Sequence, residues 1–406
     1  MTERLLVVGA SLAGIRSVEA ARRHGFEGDI TMIGAEAHLP YDRPPLSKRY
    51  LTGESAADYY RTEDAIRDEL RVDLRLGTCA TALRADDHTV ATTSGDVAYD
   101  RLIIATGAAP RTIPGVPALA GIVTLRTLDD ADRLRESIRP GAHVVILGAG
   151  FIGSEIASSA THLGAEVTVI EAAPVPLVRA VGDVVGRALA GLHQRHGTRL
   201  LMDTRIVEYL GSDRIEAVRL SNGDVLRADV VVVGIGAAPA TEWLRDSGIG
   251  LHPLDGGIIC DEYLQSSLPG VYAAGDVAHW PNGALDLVMR LENWTNAADQ
   301  AAQAGANAAD PSHAERYETV PYFWSDWYGQ RIQFVGTATA EAVEFASGSP
   351  DDSRFVALYR TGDRLVGAAT LDERKKIMKL RRHIAERGLF SDAIRILEPA
   401  TQPAHT

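Results

Sequence analysis

Cysteine is scarce in this chain. Only Cys79 and Cys260 occur among 406 residues, and neither belongs to a Cys-x-x-Cys pair or a cysteine–histidine cluster. A disulfide framework, a protein-ligated iron–sulfur cluster and a sequence-local redox dithiol are therefore excluded, and we expect no metal site. We interpret Cys79 as an inert, buried thiol.

Long apolar runs and an excess of basic charge are also lacking. No stretch approaches the roughly 18 residues that cross a membrane, and the apolar stretch at residues 5–8 is too short for a signal peptide. Lys and Arg number 41 against 54 Asp and Glu, so the formal charge is −13. We therefore expect a cytoplasmic protein that binds neither a membrane nor nucleic acid.

Glycine is abundant, and a glycine-rich segment is repeated. Leu5-Leu-Val-Val-Gly-Ala-Ser-Leu-Ala-Gly14 resembles Val144-Val-Ile-Leu-Gly-Ala-Gly-Phe-Ile-Gly153, and Ala105-Thr-Gly-Ala-Ala-Pro110 resembles Gly234-Ile-Gly-Ala-Ala-Pro239 in the same order. Short apolar strands precede each glycine turn, at residues 5–8 and 144–147, and helices at 13–23 and 152–162 follow. Further strands are predicted at 29–33 and 166–170. The repeat predicts an α/β fold with two Rossmann-like dinucleotide-binding domains, the second inserted in the first.

The residue composition and the predicted secondary structure change after Pro311. Aromatic residues cluster at 322–328, strand-like segments follow at 332–335, 355–359 and 365–369, and then comes a basic helix. We predict a small C-terminal α+β domain over residues 318–406, whose polar last nine residues fray. The first dinucleotide-binding domain then comprises residues 1–112 and 240–317, and the second comprises residues 113–239.

The first glycine turn, Gly9-Ala-Ser-Leu-Ala-Gly14, has Ser11 where the dinucleotide motif has its middle glycine. Such a turn presents backbone N–H groups at a helix N-terminus to a pyrophosphate. Glu36 follows the second strand, where a carboxylate can hold a ribose hydroxyl. A purely structural turn remains the alternative.

The second turn, Gly148-Ala-Gly-Phe-Ile-Gly153, matches the motif in full through Gly148, Gly150 and Gly153. Glu171 ends the next strand, where its carboxylate would accept from ribose hydroxyls and repel a 2′-phosphate. No arginine follows it to receive that phosphate, so the pattern favours NADH over NADPH.

A third feature is Ala274-Gly-Asp276, after a strand-like segment. Gly275 and Asp276 suit a second contact with a long dinucleotide, in which the carboxylate binds a ribitol hydroxyl. The alternative is that Asp276 caps the next helix.

Five further segments carry a family resemblance. They are Leu39-Pro-Tyr-Asp-Arg-Pro-Pro-Leu-Ser-Lys48, Leu102-Ile-Ile-Ala-Thr-Gly-Ala-Ala-Pro-Arg111, Leu125-Arg-Thr127, Val271-Tyr-Ala-Ala-Gly-Asp276 and Phe323-Trp-Ser-Asp326. Over essentially its whole length the chain resembles the two-dinucleotide-binding-domain flavoproteins. Within them it is most similar to the NADH-dependent ferredoxin reductases that serve bacterial oxygenases and haem monooxygenases.

The resemblance implies non-covalent FAD in the first domain and NADH in the second. Glu36 would be the ribose carboxylate of the FAD site, because Ala35 replaces an acid that many relatives carry. Arg43 and Lys48 would flank the flavin, and Trp294 would offer a backbone N–H to the pyrimidine edge of its ring. The remaining FAD-binding residues would be Gly9, Ser11, Ala13, Gly14, Ala35, Ala80, Ala105, Thr106, Gly107, Arg126, Gly275 and Asp276. The NAD-binding residues would be Gly148, Gly150, Ile152, Gly153, Glu155 and Glu171.

Three residues are candidates for a catalytic role through the same resemblance: Lys48, Glu155 and Trp324. An ion pair between Lys48 and Glu155 is expected at the flavin face. Each residue has a structural alternative. Lys48 could be an exposed loop lysine, and Glu155 could be an acid favoured by a helix N-terminus. Trp324 could be an aromatic residue packed in a core.

The function implied is transfer of hydride from NADH to FAD and of single electrons to a small iron–sulfur ferredoxin. Alternatives are an NADH oxidase or rubredoxin reductase of the same fold, or a flavin redox sensor. Residues 374–382, called here the basic segment, carry six basic residues and no acid. They would dock an acidic ferredoxin, unless they only form a solvated helix face.

Overall fold

The structure, a computed structural model, describes residues 2–398. The tail that the sequence predicts to fray lies outside the described residues, apart from Glu398. The helices along the chain are α1 (Leu12–Arg23), α2 (Leu128–Ser137), α3 (Phe151–His162), α4 (Val178–Arg195), α5 (Trp294–Ala309), α6 (Ile377–Ala385) and α7 (Phe390–Leu397).

The strands follow in chain order. They are β1 (Arg4–Val8), β2 (Asp29–Ile33), β3 (Val72–Arg75), β4 (Ala80–Arg84), β5 (Thr89–Thr92), β6 (Val97–Ala98), β7 (Arg101–Ile104), β8 (Ala108–Pro110), β9 (Ile122–Val123), β10 (His143–Leu147), β11 (Glu166–Ile170), β12 (Arg199–Leu201), β13 (Ile206–Leu210), β14 (Ala217–Leu220), β15 (Val225–Arg227), β16 (Val230–Val233), β17 (Ala237–Pro239), β18 (Ile258–Ile259), β19 (Val271–Ala273), β20 (Ala278–Asn282), β21 (Leu287–Met289), β22 (Tyr322–Trp327), β23 (Gln330–Gly336), β24 (Ala342–Ser347), β25 (Phe355–Thr361) and β26 (Arg364–Leu371).

The chain forms two compact units. The first unit comprises Met1–Ile113, Leu125–Arg133 and Gly236–Thr319, and the second comprises Pro114–Thr124, Leu134–Ile235 and Val320–Thr406. The chain therefore leaves the first unit and returns to it, as an inserted domain requires.

The first unit is built on a parallel sheet with strand order β19-β7-β1-β2-β3. Strand β1 lies at its centre, and Leu5, Leu6 and Val7 are buried because helices and loops cover both faces of the sheet. Helix α1 returns the chain to β2, and α5 packs beside α1. The glycine turn between β1 and α1 thus lies at the carboxyl edge of the sheet, where ligands bind in open α/β folds.

The second unit contains a parallel sheet of the same design, with order β12-β11-β10-β16-β9. Strand β16 consists of four consecutive buried valines, as expected of a strand covered on both faces. Helix α3 follows β10 directly, so the second glycine turn occupies the same topological position as the first.

The second unit also contains an antiparallel sheet with order β22-β23-β26-β25-β24. Its core includes Trp327, Phe334 and Tyr359, which pack with Val185 and Leu189 of α4. Helix α6 packs against β26 and β23.

The predicted fold class is confirmed: two Rossmann-like sheets plus a C-terminal α+β region. Predicted strands and helices of the repeat agree with the structure to within one residue. The helix of the basic segment begins at Ile377, after Arg374, Lys375 and Lys376. The division into three domains stays a prediction. No helix among residues 2–398 combines the length and the apolar character that a bilayer span needs.

Candidate functional site

The first glycine turn is closed by backbone packing. Gly9 has φ +122°, and a Cβ at this position would collide with the carbonyl oxygen of Ala105 at the end of β7. Ala105, Thr106 and Gly107 continue from that strand. Ser11 is the N-cap of α1 by backbone geometry, but its side chain does not cap the helix among the described residues. The first N–H groups of α1 thus remain available to a pyrophosphate.

Four of the residues predicted for the FAD site are linked by a series of hydrogen bonds and ion pairs in the first unit. Arg43 Nη2 donates to Glu36 Oε1 at 2.5 Å, and Arg43 Nη1 donates to the carbonyl oxygen of Arg126 at 2.7 Å. Arg126 Nη2 lies 3.3 Å from Asp276 Oδ2. Tyr41 donates to the other oxygen of Glu36 at 2.6 Å. Burial lowers the pKa of Arg43, but Tyr41 and Glu36 beside it outweigh burial and hold the guanidinium charged.

These contacts leave room for a ligand on Glu36. A carboxylate offers about four lone-pair sites, and Arg43 and Tyr41 use one each on Glu36. Arg43 and Tyr41 thus hold the Glu36 carboxylate in place and leave lone pairs free to accept from ribose hydroxyls. Ala35 beside it is exposed and offers only its backbone.

The remaining residues predicted for the FAD site lie in turns or at element ends of the same unit. Lys48 follows the short 3₁₀ turn Pro44–Ser47, and its Nζ donates to the Pro44 carbonyl oxygen at 3.1 Å. Ala80 begins β4. Gly275 follows β19, and its N–H donates to the buried Gln300 Oε1 at 2.8 Å. Ala13 and Gly14 are buried in the first turn of α1.

Trp294 is the first residue of α5. Asn293 caps this helix by accepting from the N–H of Asn296 at 2.9 Å. The indole Nε1 of Trp294 donates to Asp42 Oδ1 at 2.8 Å, which anchors the side chain. The backbone N–H of Trp294 therefore lies at the positive end of a helix dipole. This position suits the predicted hydrogen bond to the electron-rich pyrimidine edge of a flavin ring.

The second glycine turn is held against Glu171, the residue predicted to select the nucleotide. Gly148 has φ +105°, and a Cβ there would collide with the carbonyl oxygen of Gly234. Glu171 Oε2 accepts from the N–H of Ala149 at 2.8 Å, and Oε1 accepts from the N–H of Ala173 at 2.9 Å. The carboxylate is thus held at the carboxyl end of β11, against the turn.

Space for a ligand is present at this turn. A Cβ on Gly150 would meet no heavy atom of the described residues within 4 Å, whereas one on Gly153 would collide with the Gly148 carbonyl oxygen. Ile152, in the first turn of α3, is 47% exposed. The residues present therefore fit a pyrophosphate over Gly150 with an apolar neighbour beside it.

Glu155 is buried on α3, with 5% exposure. Ser325 Oγ donates to Glu155 Oε1 at 2.5 Å, and Trp327 Nε1 donates to Ser325 Oγ at 2.8 Å. Trp324, also on β22, is half-buried and stacks against Tyr322 with ring centroids 5.9 Å apart. The structure thus brings Ser325 to Glu155, a contact that the sequence analysis did not anticipate.

A buried histidine lies beside this cluster. His193 Nδ1 is 2.8 Å from the Tyr328 hydroxyl, and Nε2 is 3.2 Å from Ser154 Oγ. Tyr328 donates onward to Thr198 Oγ1 at 2.8 Å. Burial lowers the pKa of His193 to about 4, so the ring is neutral in the folded protein at neutral pH.

This histidine predicts acid sensitivity. Below about pH 6.5 the unfolded chain takes up a proton on His193 that the folded chain refuses until about pH 4, so folding loses about 3 kcal/mol over that interval. Urea unfolding at pH 7 and pH 4.5 should show an acid loss that is smaller in His193→Gln by about 2 kcal/mol. Equal acid losses in the wild type and the variant would contradict the assignment.

The two cysteines are both free. Cys260 is buried, and burial raises the pKa of its thiol. The prediction that Cys79 is buried is wrong: it is exposed, because it lies in the turn before β4 with its N–H bonded to Thr93 Oγ1 at 3.1 Å. Neither thiol has a disulfide partner within residues 2–398.

One group of side chains has metal-ligand geometry. The ligand atoms of His252, Asp255 and His279 lie within 4.8 Å of one another. Asp255 already accepts from Arg290 Nε at 2.8 Å and from His279 Nε2 at 2.9 Å. Arg290 also donates to the carbonyl oxygen of Asp276 at 2.8 Å. The network therefore holds the backbone of a residue that is predicted to bind FAD.

Comparison with known proteins places the chain in a family. Residues 3–301 match the pyridine nucleotide-disulphide oxidoreductase family, and residues 322–402 match the reductase C-terminal family. Rhodocoxin reductase of Rhodococcus erythropolis is 34% identical over 386 residues, which cover 94% of this chain and 89% of that protein. The biphenyl dioxygenase system ferredoxin–NAD(+) reductase component of Paraburkholderia xenovorans is 36% identical, covering 91% and 90%.

A solved structure supports the same family assignment. The chain is similar to the reductase in the covalent putidaredoxin reductase–putidaredoxin complex, with a TM-score of 0.90 and 31% identity over 95% of this chain and 93% of that one. The protein is thus a flavoprotein with two Rossmann-like parallel sheets. It belongs to the pyridine nucleotide-disulphide oxidoreductase family, and its cofactors are FAD and NADH.

Proposed function

We propose that this protein is an NADH-dependent ferredoxin reductase that supplies single electrons to an oxygenase or haem monooxygenase through a small iron–sulfur protein. The observation that carries the proposal is similarity over nearly the whole chain to ferredoxin–NAD(+) reductase components of dioxygenase systems. FAD, when bound, accepts a hydride and releases electrons one at a time, which joins a two-electron donor to a one-electron acceptor.

The first unit holds FAD. The N–H groups at the start of α1 bind the pyrophosphate, Glu36 binds the adenosine ribose, and Asp276 binds the ribityl chain. Arg43 and Arg126 connect these two carboxylates. These contacts hold both carboxylates in place before the cofactor arrives.

The second unit holds NADH. The turn at Gly148–Gly150 receives the pyrophosphate, and Glu171 accepts from the adenosine ribose hydroxyls. Glu155 lies one helical turn further along α3 and orients the nicotinamide. Lys48 and Trp324 complete the catalytic set, and the Lys48–Glu155 ion pair stays a prediction.

The acceptor test decides between this proposal and its alternatives. Purified protein should be yellow, and with NADH it should reduce cytochrome c only when a ferredoxin is present. Ferredoxins encoded beside the reductase gene are the first acceptors to try. Fast oxygen consumption without ferredoxin would favour an NADH oxidase, and slow flavin reduction with a stable charge-transfer band would favour a redox sensor.

The basic segment is proposed to dock the ferredoxin. Arg374, Lys375 and Lys379 are exposed, whereas Arg381 is half-buried and donates to the Val320 carbonyl oxygen at 2.9 Å. Arg381 is therefore structural, and the exposed residues are those that an acidic partner can reach.

Charge reversal tests the docking surface. Lys379→Glu should raise the KM for ferredoxin about threefold or more at low salt, and the effect should shrink as salt screens it. Flavin reduction by NADH should not change. The control is Arg23→Glu, an exposed arginine at the end of α1 and outside the basic segment. Equal effects of the two substitutions would show that only net charge matters.

The cytoplasmic location expected from the sequence is part of this proposal. Cell fractionation followed by immunoblotting tests it, and recovery of the protein outside the cytoplasmic fraction would contradict it.

A further inference from the structure

Strand β22 presents its two faces to different surroundings. Ser325 and Trp327 are buried on one face, and Phe323 on the same face packs against Phe151 of the α3 first turn with ring centroids 4.9 Å apart. Just beyond the strand, the N–H of Tyr328 donates to Ser158 Oγ on α3 at 2.6 Å. The turn between β22 and β23 is therefore docked along α3.

The hydroxyl of Ser325 has a defined direction. It accepts from the indole N–H of Trp327 at 2.8 Å, so its single proton is directed to Glu155 Oε1, 2.5 Å away. Ser325 is 0% exposed, and water does not compete for this bond. A hydrogen bond from a neutral donor to a carboxylate is stronger than one between neutral groups.

The indole is itself held in place. His193 lies beside the Trp327 ring, with centroids 5.3 Å apart and planes inclined by 31°. His193 is fixed in turn by Ser154 and by Tyr328. The donor that orients Ser325 therefore belongs to a rigid, buried cluster of the second unit.

We propose that Ser325 is a positioning residue for hydride transfer from NADH, and that Trp327 orients it. By binding Oε1, Ser325 fixes the rotation of the Glu155 carboxylate relative to α3. This inference rests on the proposed function, in which Glu155 orients the bound nicotinamide. Small misplacement of a group that orients a substrate costs rate more than affinity, because the reacting atoms no longer meet in line.

A structural explanation competes with this proposal. Ser325 can simply help to dock the β22–β23 turn on α3. Ser158 makes a second docking contact on the same helix without touching Glu155 in the described contacts, so Ser158→Ala is the matched control.

The experiment measures flavin reduction by saturating NADH in the FAD-loaded protein, by stopped-flow absorbance. Ser325→Ala should slow this step about tenfold, and Trp327→Phe should slow it less. Ser325→Thr keeps a hydroxyl at this position and should therefore retain most of the wild-type rate. Ser158→Ala should stay near the wild-type rate. Calorimetric titration with NAD+ should show a dissociation constant within about threefold of wild type for each variant. Transfer from chemically pre-reduced Ser325→Ala to ferredoxin should be unaffected.

The outcomes separate the two ideas. A wild-type rate in Ser325→Ala, or equal slowing in Ser158→Ala, overturns the positioning role while leaving the reductase function intact. Failure of Ser325→Thr to recover the rate also counts against it. If wild-type protein loaded with FAD is not reduced by NADH, the proposed function itself fails. If Ser325→Ala does not fold, the Trp327→Phe variant decides, because it retains the Ser325 hydroxyl and removes the indole N–H that orients it.

Discussion

NADH is expected to exceed NADPH by well over tenfold in kcat/KM, which corresponds to about 1.4 kcal/mol or more of transition-state binding. Glu171 is the reason. Its carboxylate accepts from the N–H groups of Ala149 and Ala173, and these two bonds hold it at the predicted ribose site. A 2′-phosphate would meet a fixed negative charge, and Ala172 and Ala173 after it offer no cation.

Substitution should narrow the preference in a graded way. Glu171→Gln removes the charge but keeps an acceptor oxygen, so it should lose the repulsion of NADPH and retain part of the NADH affinity. Glu171→Ala should lose both. Glu166→Ala is the control: Glu166 is exposed at the other end of the same strand, where it pairs with His143. Equal use of both nucleotides by the wild type would remove the assignment of Glu171.

The parts of the fold that the sequence predicts are those with local signals. The repeated strand–glycine-turn–helix pattern specifies two parallel sheets, and in both the strand before the glycine turn lies at the centre, with the strand after the helix beside it. Glu171 and Glu36 follow from the same pattern, since each comes after the strand that follows the helix. Here short-range spacing determines position, because a strand of five residues and a twelve-residue helix leave the chain little choice of path.

Contacts between distant segments could not be predicted. Ser325 reaches Glu155, and His193 reaches Tyr328, across long separations in sequence. No motif marks such partners, because a serine or a histidine in a polar network looks like any other in the sequence. The alternation along β22 predicts that Ser325 and Trp327 share a face, but only the packing of that face on α3 shows what they meet.

The exposure of Cys79 was missed for a related reason. A lone cysteine is usually buried, but here the turn between β3 and β4 follows Gly77 and turns the side chain outward. Turn geometry overrode the residue's ordinary preference, and nothing in the neighbouring sequence indicated on which side the thiol would lie.

The two glycines of the second turn are expected to fail in different ways when each is replaced by alanine. Gly148 has a positive φ, and its Cβ would press on the Gly234 carbonyl oxygen. Gly148→Ala should therefore lower the free energy of unfolding by more than about 2 kcal/mol, through backbone strain and displacement of the adjoining strand end. Gly150 has φ −77° and open space before it among the described residues.

Gly150→Ala should consequently leave the free energy of unfolding within about 1 kcal/mol of wild type, yet weaken NAD+ binding about tenfold or more, because the new methyl group occupies the space that the pyrophosphate needs. Urea unfolding and calorimetric titration with NAD+ separate the two effects in the same preparations. FAD content should be unchanged in Gly150→Ala, since the first glycine turn is intact. Wild-type NAD+ affinity in Gly150→Ala would show that the pyrophosphate does not approach this turn. Wild-type stability in Gly148→Ala would show that the contact with Gly234 relaxes without cost.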